Sequence, residues 1–303
     1  PETLFDDYTT RGPQMKTQEL TIDRHMGYAF DFKVRELKNE PTLQYIRDSW
    51  LMAMAEMDSE QRATWEAIYD KKNEEFLKNP PVGKDLLRWK YQRYVKEYCR
   101  TIRSVDEQVG RLLDYLEEKG VLDNTVIVYT SDQGFLLGEH GLYDKRFMYE
   151  ESFRTPLIIS CPSLVKKHSV CKELVQNIDL APTFLSLAGV EVPKEMSGRS
   201  LLPLFKNGKA ENWRNELYYH FYDYPAVGSV RKHDGIRTKR YKLIHWYGEG
   251  SGNDEAIDFW ELYDLKKDVM EVNNVYDNPK YVKVREVLTV QLEKLRKDVG
   301  VTE

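Results

Sequence analysis

The segment Asn124-Thr-Val-Ile-Val-Tyr-Thr-Ser-Asp-Gln-Gly-Phe-Leu-Leu-Gly-Glu-His-Gly-Leu-Tyr-Asp-Lys-Arg146, continuing to Arg154-Thr155-Pro156, decides how the chain is read. Val126, Ile127, Val128 and Tyr129 form a short apolar run rich in β-branched residues, the pattern of a central strand covered on both faces. Asp132, Gln133, Glu139, His140, Asp144 and Lys145 follow, spaced by Gly134, Gly138 and Gly141. In open α/β sheets ligands bind beyond the carboxyl ends of strands, so oxygen ligands, a histidine and a lysine at that place point to a metal-assisted anion site. A solvated, glycine-rich loop is the competing reading.

On both sides of this segment the periodicity is that of an α/β protein. Leu87, Tyr91, Tyr94, Tyr98, Ile102, Val105, Val109, Leu112 and Leu116 recur in steps of three and four, which predicts a long helix ending at Gly120. Upstream, residues 1 to 40 read as loop with short helix. Tyr45, Trp50, Met54, Met57, Trp65 and Tyr69 predict core-facing helical segments over 42 to 75 with a break at Asp58-Ser59. Downstream come a second strand at 157 to 160 and a short helix from Asp179 to Leu187, with Pro182 in its first turn and Gly189 after its end. Beyond Pro203 the pattern becomes antiparallel strands at 217 to 222, 236 to 238, 241 to 246 and 260 to 265, closed by a helix over 281 to 299. The expected fold class is therefore α/β, a mixed sheet flanked by helices over residues 1–204, with a smaller α+β subdomain over 205–303.

The 303 residues suffice for a substantial core, and 45 basic against 50 acidic residues leave a net charge of −5. No nucleic-acid footprint follows from that balance. No run of apolar residues is long enough for a membrane span, and no signal peptide is visible; a start at Pro1 is read as a processed chain or a piece of a longer one. The three cysteines make no zinc signature, and a Cys161–Cys171 disulfide is left open.

Together the motifs resemble those of the type I, formylglycine-dependent sulfatases of the alkaline phosphatase superfamily. The resemblance is carried by Ser104 to Gly110, Asn124 to Gly134, Gly138-Glu139-His140-Gly141, Asp144-Lys145-Arg146, Arg154-Thr155-Pro156, Asn177 to Thr183, Gly198 to Pro203 and Leu262 to Leu265, in the family's order. The Asp-Lys-Arg motif with Tyr149-Glu150, and Asn177-Ile178-Asp179-Leu180, are most similar to the N-acetylglucosamine-6-sulfatase group. The resemblance implies an alkaline phosphatase-like fold, one Ca²⁺ with Asp132 and Gln133 among its ligands, and Lys145 on the sulfate. It also implies a role for His140 near the leaving group and a sulfated glycan as substrate, with His220 and Arg240 as candidate sugar contacts. By family analogy the complete enzyme would be periplasmic, extracellular or lysosomal.

The family's Cys/Ser-X-Pro-Ser-Arg motif, source of the formylglycine, has no match in the expected place. Ser160-Cys161-Pro162-Ser163-Leu164 lacks the arginine and stands at a strand end, so it is read as a decoy; Asp6-Asp7 follows no strand and is read likewise. The chain is thus expected to carry half an active site and to be inactive alone. Two other readings stay open: a phosphatase or phosphodiesterase of the same superfamily, and a non-catalytic binding module derived from a sulfatase.

Overall fold

The computed structural model describes residues 1–34 and 44–301, with side chains from residue 47 in the second stretch. The described helices and strands, in chain order, are α1 (Gln14–Thr17), α2 (Gln44–Glu56), α3 (Ser59–Lys78), α4 (Gly83–Glu118), β1 (Ile127–Thr130), β2 (Leu136–Leu137), β3 (Tyr143–Asp144), α5 (Glu150–Phe153) and β4 (Leu157–Ser160). Then follow α6 (Leu180–Leu187), α7 (Leu202–Phe205), β5 (Glu216–Phe221), β6 (His233–Thr238), β7 (Tyr241–Gly248), β8 (Ile257–Asp264) and α8 (Val282–Asp298). The ends of the loop and helix expected over 35–43 lie outside the described residues.

Two compact units interleave along the chain, one of residues 1–7, 18–109 and 136–144, the other of 8–17, 110–135 and 145–303. The boundary read at residue 204 instead takes the chain as two successive segments. Both descriptions keep the four-stranded sheet and α8 together.

In the first unit α3 starts where the sequence breaks. Asp58 accepts hydrogen bonds from the backbone of Glu60 and Gln61, while the Gln61 side chain accepts from Asp58 N, a reciprocal cap. Leu4, Ile22, Met26, Phe32, Val34 and Phe76 form the core, with Phe76 stacked on Trp89 of α4 at 4.0 Å. Trp50 and Trp65 meet at 5.5 Å across α2 and α3, and both stay partly exposed.

In the second unit β1 and β4 pair antiparallel, Ile127 opposite Ser160 and Thr130 opposite Leu157. Among the described residues this pair has no third strand. The expectation that β1 is covered on both faces is corrected accordingly: Leu157 and Ile159 pack into a core with Leu201, Leu204 and Phe205, but Tyr129 and Ile158 are exposed, Ile158 by 63%. The side-chain period of two explains the split, because one face has a partner layer and the other has none among the described residues.

Strands β5 to β8 form an antiparallel meander with every neighbour in sequence also a neighbour in space. One face carries Ile236, Leu243 and Leu262 against Leu288 and Leu292 of α8. That face also holds Asp234, whose carboxylate accepts two 2.6 Å hydrogen bonds from the Arg296 guanidinium of the same helix. On the opposite face Phe147, Tyr149 and Trp246 are fully buried, and Glu261 accepts from Tyr149 OH, Trp246 Nε1 and Gln14 Nε2 at 3.1, 3.1 and 2.8 Å. Cys99, Cys161 and Cys171 are all free thiols, which closes the disulfide left open by the sequence.

Lys242, in the middle of β7, is wholly buried on that same face. Its ammonium lies 2.7 Å from Glu271 Oε1 and 2.9 Å from Glu150 Oε1, and donates to the Met148 carbonyl at 2.7 Å. Removing one partner of such a cluster strands the others without water. Lys242→Ala should therefore destabilise the chain by about 3–5 kcal/mol, measured by urea unfolding; a loss below about 1 kcal/mol would mean the cluster contributes little.

Candidate functional site

The candidate site is a cavity of about 700 Å³ in the second unit, opening at the carboxyl end of β1. Asp132, Gln133, Lys145, Arg146, Asn177 and Tyr219 are among its walls. The structure thus gathers three of the six sequence candidates, Asp132, Gln133 and Lys145, which lie up to thirteen positions apart in the chain.

Local chemistry holds the loop after β1. Gly134 donates its backbone N–H to the Ser152 carbonyl at 2.9 Å, and a Cβ there would stand 2.2 Å from the Glu151 carbonyl oxygen, so only glycine permits the approach. Asp132 Oδ1 accepts from Gln133 N at 3.1 Å, an arrangement that turns the carboxylate back over its own loop. The Asn177 amide donates to the Ser131 and Asp132 carbonyls at 3.1 and 2.8 Å, tying the two segments of the wall together. Asn177 is itself held by its neighbour: Asp179 is buried and accepts from Gln176 N, from Arg199 N and from the Arg214 guanidinium. Sequence reading placed Asn177 in a motif without a role, and its contact forty-five residues away left no local signal.

Lys145 lies over the Phe135 ring at 5.9 Å. The next residue, Arg146, has φ of 88°, and its carbonyl accepts from Tyr219 OH at 3.2 Å, so a side chain of β5 fixes the turn that carries the lysine. Beyond it Phe147, Met148 and Tyr149 are buried and anchor the segment from the other side. Glu150 is partly buried, which opposes ionisation, yet Lys242 and Arg237 beside it hold its carboxyl down to about 2. Glu271 shares the Lys242 ammonium but is fully buried, and burial pushes its carboxyl up. In all, Lys145, Arg146, Arg154 and Arg237 face Asp132, Glu150 and Glu173 around the cavity, four basic groups against three acidic ones.

The sequence reads His233 as a hairpin residue, solvated by default, with a substrate role as the alternative; the structure corrects the default. It is fully buried beside the cavity residues Tyr219 and Phe221, with ring centroids 5.5 Å from each, and stacks on Trp246 at 4.0 Å. Burial pulls its pKa down to about 4, so the ring is neutral near pH 7, and Nδ1 donates to the Arg231 carbonyl at 2.9 Å.

The remaining candidates fall elsewhere. His220 is not among the cavity's walls: Tyr219 and Phe221 point to that side of the sheet, whereas His220 lies on the α8 side, its Nε2 2.7 Å from Tyr247 OH. Arg240 is engaged in a two-pronged ion pair with Asp264 at 3.0 and 2.8 Å and lines a second cavity. His140 belongs to the first unit, where it is fully buried at φ 55°. Its Nδ1 lies 3.0 Å from Asp6 Oδ2, and its backbone N–H donates to Thr3 Oγ1. Asp6, set aside as a decoy for metal binding, is thus the residue that orients the imidazole. Cys161 is buried at the end of β4 with Sγ 3.7 Å from Ser163 Oγ and is not a wall of the cavity.

Asp132 and Gln133 supply two side-chain oxygens, whereas Ca²⁺ takes about six to eight. Among the described residues no group of three or more His, Cys, Asp or Glu side chains could hold a metal ion. These residues do not make a complete cation site. What the cavity can do unaided is receive an anion against Lys145 and its neighbouring guanidinium groups.

Two family models match, "Sulfatase" over residues 28–190 and "N-sulphoglucosamine sulphohydrolase, C-terminal" over 138–298. An N-acetylglucosamine-6-O-sulfatase of Bacteroides thetaiotaomicron is 45% identical over 299 residues, covering 98% of this chain and 52% of the relative. A solved structure of a protein in complex with its substrate D-glucosamine-2-N,6-O-disulfate superposes with a TM-score of 0.90 at 43% identity, covering 100% of this chain and 60% of that one. A phosphonate monoester hydrolase from Silicibacter pomeroyi shares the architecture more loosely, at TM-score 0.56 and 27% identity over 70% of this chain and 41% of its own. The chain therefore spans about half the length of the curated relative it matches end to end. With each model covering more than half of its residues and an alkaline phosphatase-like fold, the chain belongs to the sulfatase family.

Proposed function

We propose that this chain is the sulfate-contacting portion of an enzyme that removes 6-O-sulfate from N-acetylglucosamine units of sulfated glycans. The observation that carries the reading is the placement of Lys145 with Asp132, Gln133 and Asn177 around one cavity at the carboxyl end of β1. A compact ammonium suits the nonbridging oxygens of a sulfate ester, whose negative charge must be stabilised as the S–O bond breaks. The similarity of nearly this whole chain to part of an N-acetylglucosamine-6-O-sulfatase, and to part of a structure holding a 6-O-sulfated glucosamine, supports both reaction and substrate.

In the complete protein a histidine would protonate the leaving sugar alcohol. Ca²⁺ and a formylglycine nucleophile belong to this reading as parts of the complete protein, together with a periplasmic, extracellular or lysosomal setting. The cation would add Lewis-acid stabilisation at the sulfate. A phosphate-ester hydrolase is the second reading, favoured by 35% identity over 196 residues to a multifunctional alkaline phosphatase superfamily protein of Trinickia caryophylli.

With two side-chain oxygens to offer, the isolated chain should bind Ca²⁺ at best in the millimolar range, roughly the weak end of protein sites. Calorimetry showing tight stoichiometric binding that Asp132→Ala abolishes would place a full ligand set here. Assayed alone against aryl and sugar sulfates, the chain should be silent, since Lys145 and the cavity provide charge stabilisation without a nucleophile; metal-dependent turnover lost in Cys161→Ala would promote that thiol to the reacting group. In a protein extended to the length of its relatives, release of 6-sulfate from N-acetylglucosamine should greatly exceed that from 2-O-sulfated uronic acid, from 4-sulfated galactosamine and from phosphate monoesters. Preference for either other sulfate would sink the substrate, and preference for phosphate would sink the sulfatase.

A further inference from the structure

The second cavity of the same unit has a volume of about 820 Å³ and shares Glu150, Arg154, Thr155, Leu157 and Arg237 with the candidate site, so the two adjoin along one wall. Its lining contains five basic side chains, Arg154, Arg237, Lys239, Arg240 and Lys266, against two acidic ones, Glu150 and Glu151. The basic groups are not equivalent. Arg237 is paired with Glu150 on both guanidinium prongs at 3.3 and 3.1 Å, Arg240 with Asp264, and Lys239 with Glu173 at 2.6 Å. Arg154 and Lys266 are exposed and make no side-chain ion pair among the described residues. Arg154 also lines the candidate site, and thus stands where the two cavities meet.

A hydrolase acting on one sulfated sugar within a polymer must accommodate the neighbouring sugar, and a recess lined by exposed cations suits a neighbour that carries a sulfate or carboxylate. We propose that the second cavity is a subsite for that neighbour, in which Arg154 and Lys266 bind the sulfate or carboxylate of the adjoining sugar. The proposal deepens the reading of a sulfated-glycan substrate and rests on it. Arg154 supplies a planar fork that can hold two oxygens of one anionic group, and Lys266 a point charge for a second. The paired Arg240 and Lys239 fix the outer rim without competing for the ligand. Arg240 thereby regains a part in substrate recognition, as a wall of this subsite instead of a contact to the reacting sugar.

The test uses the 303-residue chain and a heparin-derived hexasaccharide stripped of its 6-O-sulfates, with chitohexaose as the neutral control. Titration calorimetry at low salt should show binding of the hexasaccharide and none of chitohexaose. The Arg154→Ala/Lys266→Ala double variant should weaken the hexasaccharide at least tenfold, while Lys166→Ala/Lys167→Ala, which removes the same charge from an exposed turn, should change the affinity less than twofold. Both pairs are solvent-exposed, and an unchanged thermal midpoint confirms folding. Equal losses in the two double variants would reduce the effect to net charge and overturn the proposal, as would absence of binding to the unmodified chain. Because the probe carries no 6-sulfate, the catalytic reading can fail while this binding stands, and this binding can fail while 6-sulfate release stands.

Discussion

A lysine with no exposed surface in the middle of a strand is tolerable only if its charge is matched where it sits, and Lys242 is matched by three groups from two separate stretches of chain. Glu271 arrives from the loop after β8, Glu150 from the first turn of α5, and the carbonyl of Met148 from the segment between Lys145 and that helix. Glu271 Oε2 in turn accepts the backbone N–H of Glu150 at 2.7 Å. The cluster therefore does more than neutralise a cation. It pins the residues that follow Lys145 to the four-stranded sheet, and with Tyr219 holding the Arg146 carbonyl it leaves the lysine little freedom of backbone position.

The same cluster shapes the electrostatics on both sides of the shared wall. Glu150 stays ionised despite burial and takes up the charge of Arg237, which is why a guanidinium lining both cavities does not act as a free anion receptor in either. Arg154, where the two cavities meet, and Lys266 in the second cavity stay outside these ion pairs.

Much of the architecture was legible because it depends on periodicity. The step of three and four in α4, the antiparallel strands read for β5 to β8, the break at Asp58-Ser59 and Pro182 in the first turn of α6 are local signals, and the elements lie within a few residues of where those signals put them. The carboxyl end of β1 followed from a general rule about where sheets bind ligands, aided by a family resemblance. What failed to be legible depended on partners distant in sequence. His220 has the composition of a site residue, but the register Tyr219↔Gly235 and His220↔Asp234 sets it on the α8 face, and register is a tertiary fact. Arg240 reads as an exposed hairpin cation until Asp264 is seen beside it, and His140 as a loop residue until Asp6 is found 134 positions away. β1 was expected to be covered on both faces because its residues are apolar throughout; composition reports what a strand would bury, not whether a layer stands against it.

That mismatch on β1 and β4 has a bearing on how the chain behaves in solution. Among the described residues no third strand stands beside the β1–β4 ladder, and Ile158 and Tyr129 lie on an open face, conditions under which strands of separate molecules can add to one another. None of these eight residues is charged or proline, so the gatekeepers are confined to the flanks, Pro156 and Pro162 about β4 and Asp132 after β1. Left to itself at high concentration, the chain carries in this ladder a template for edge-to-edge aggregation, and a single lysine at position 158 is the substitution that would blunt it.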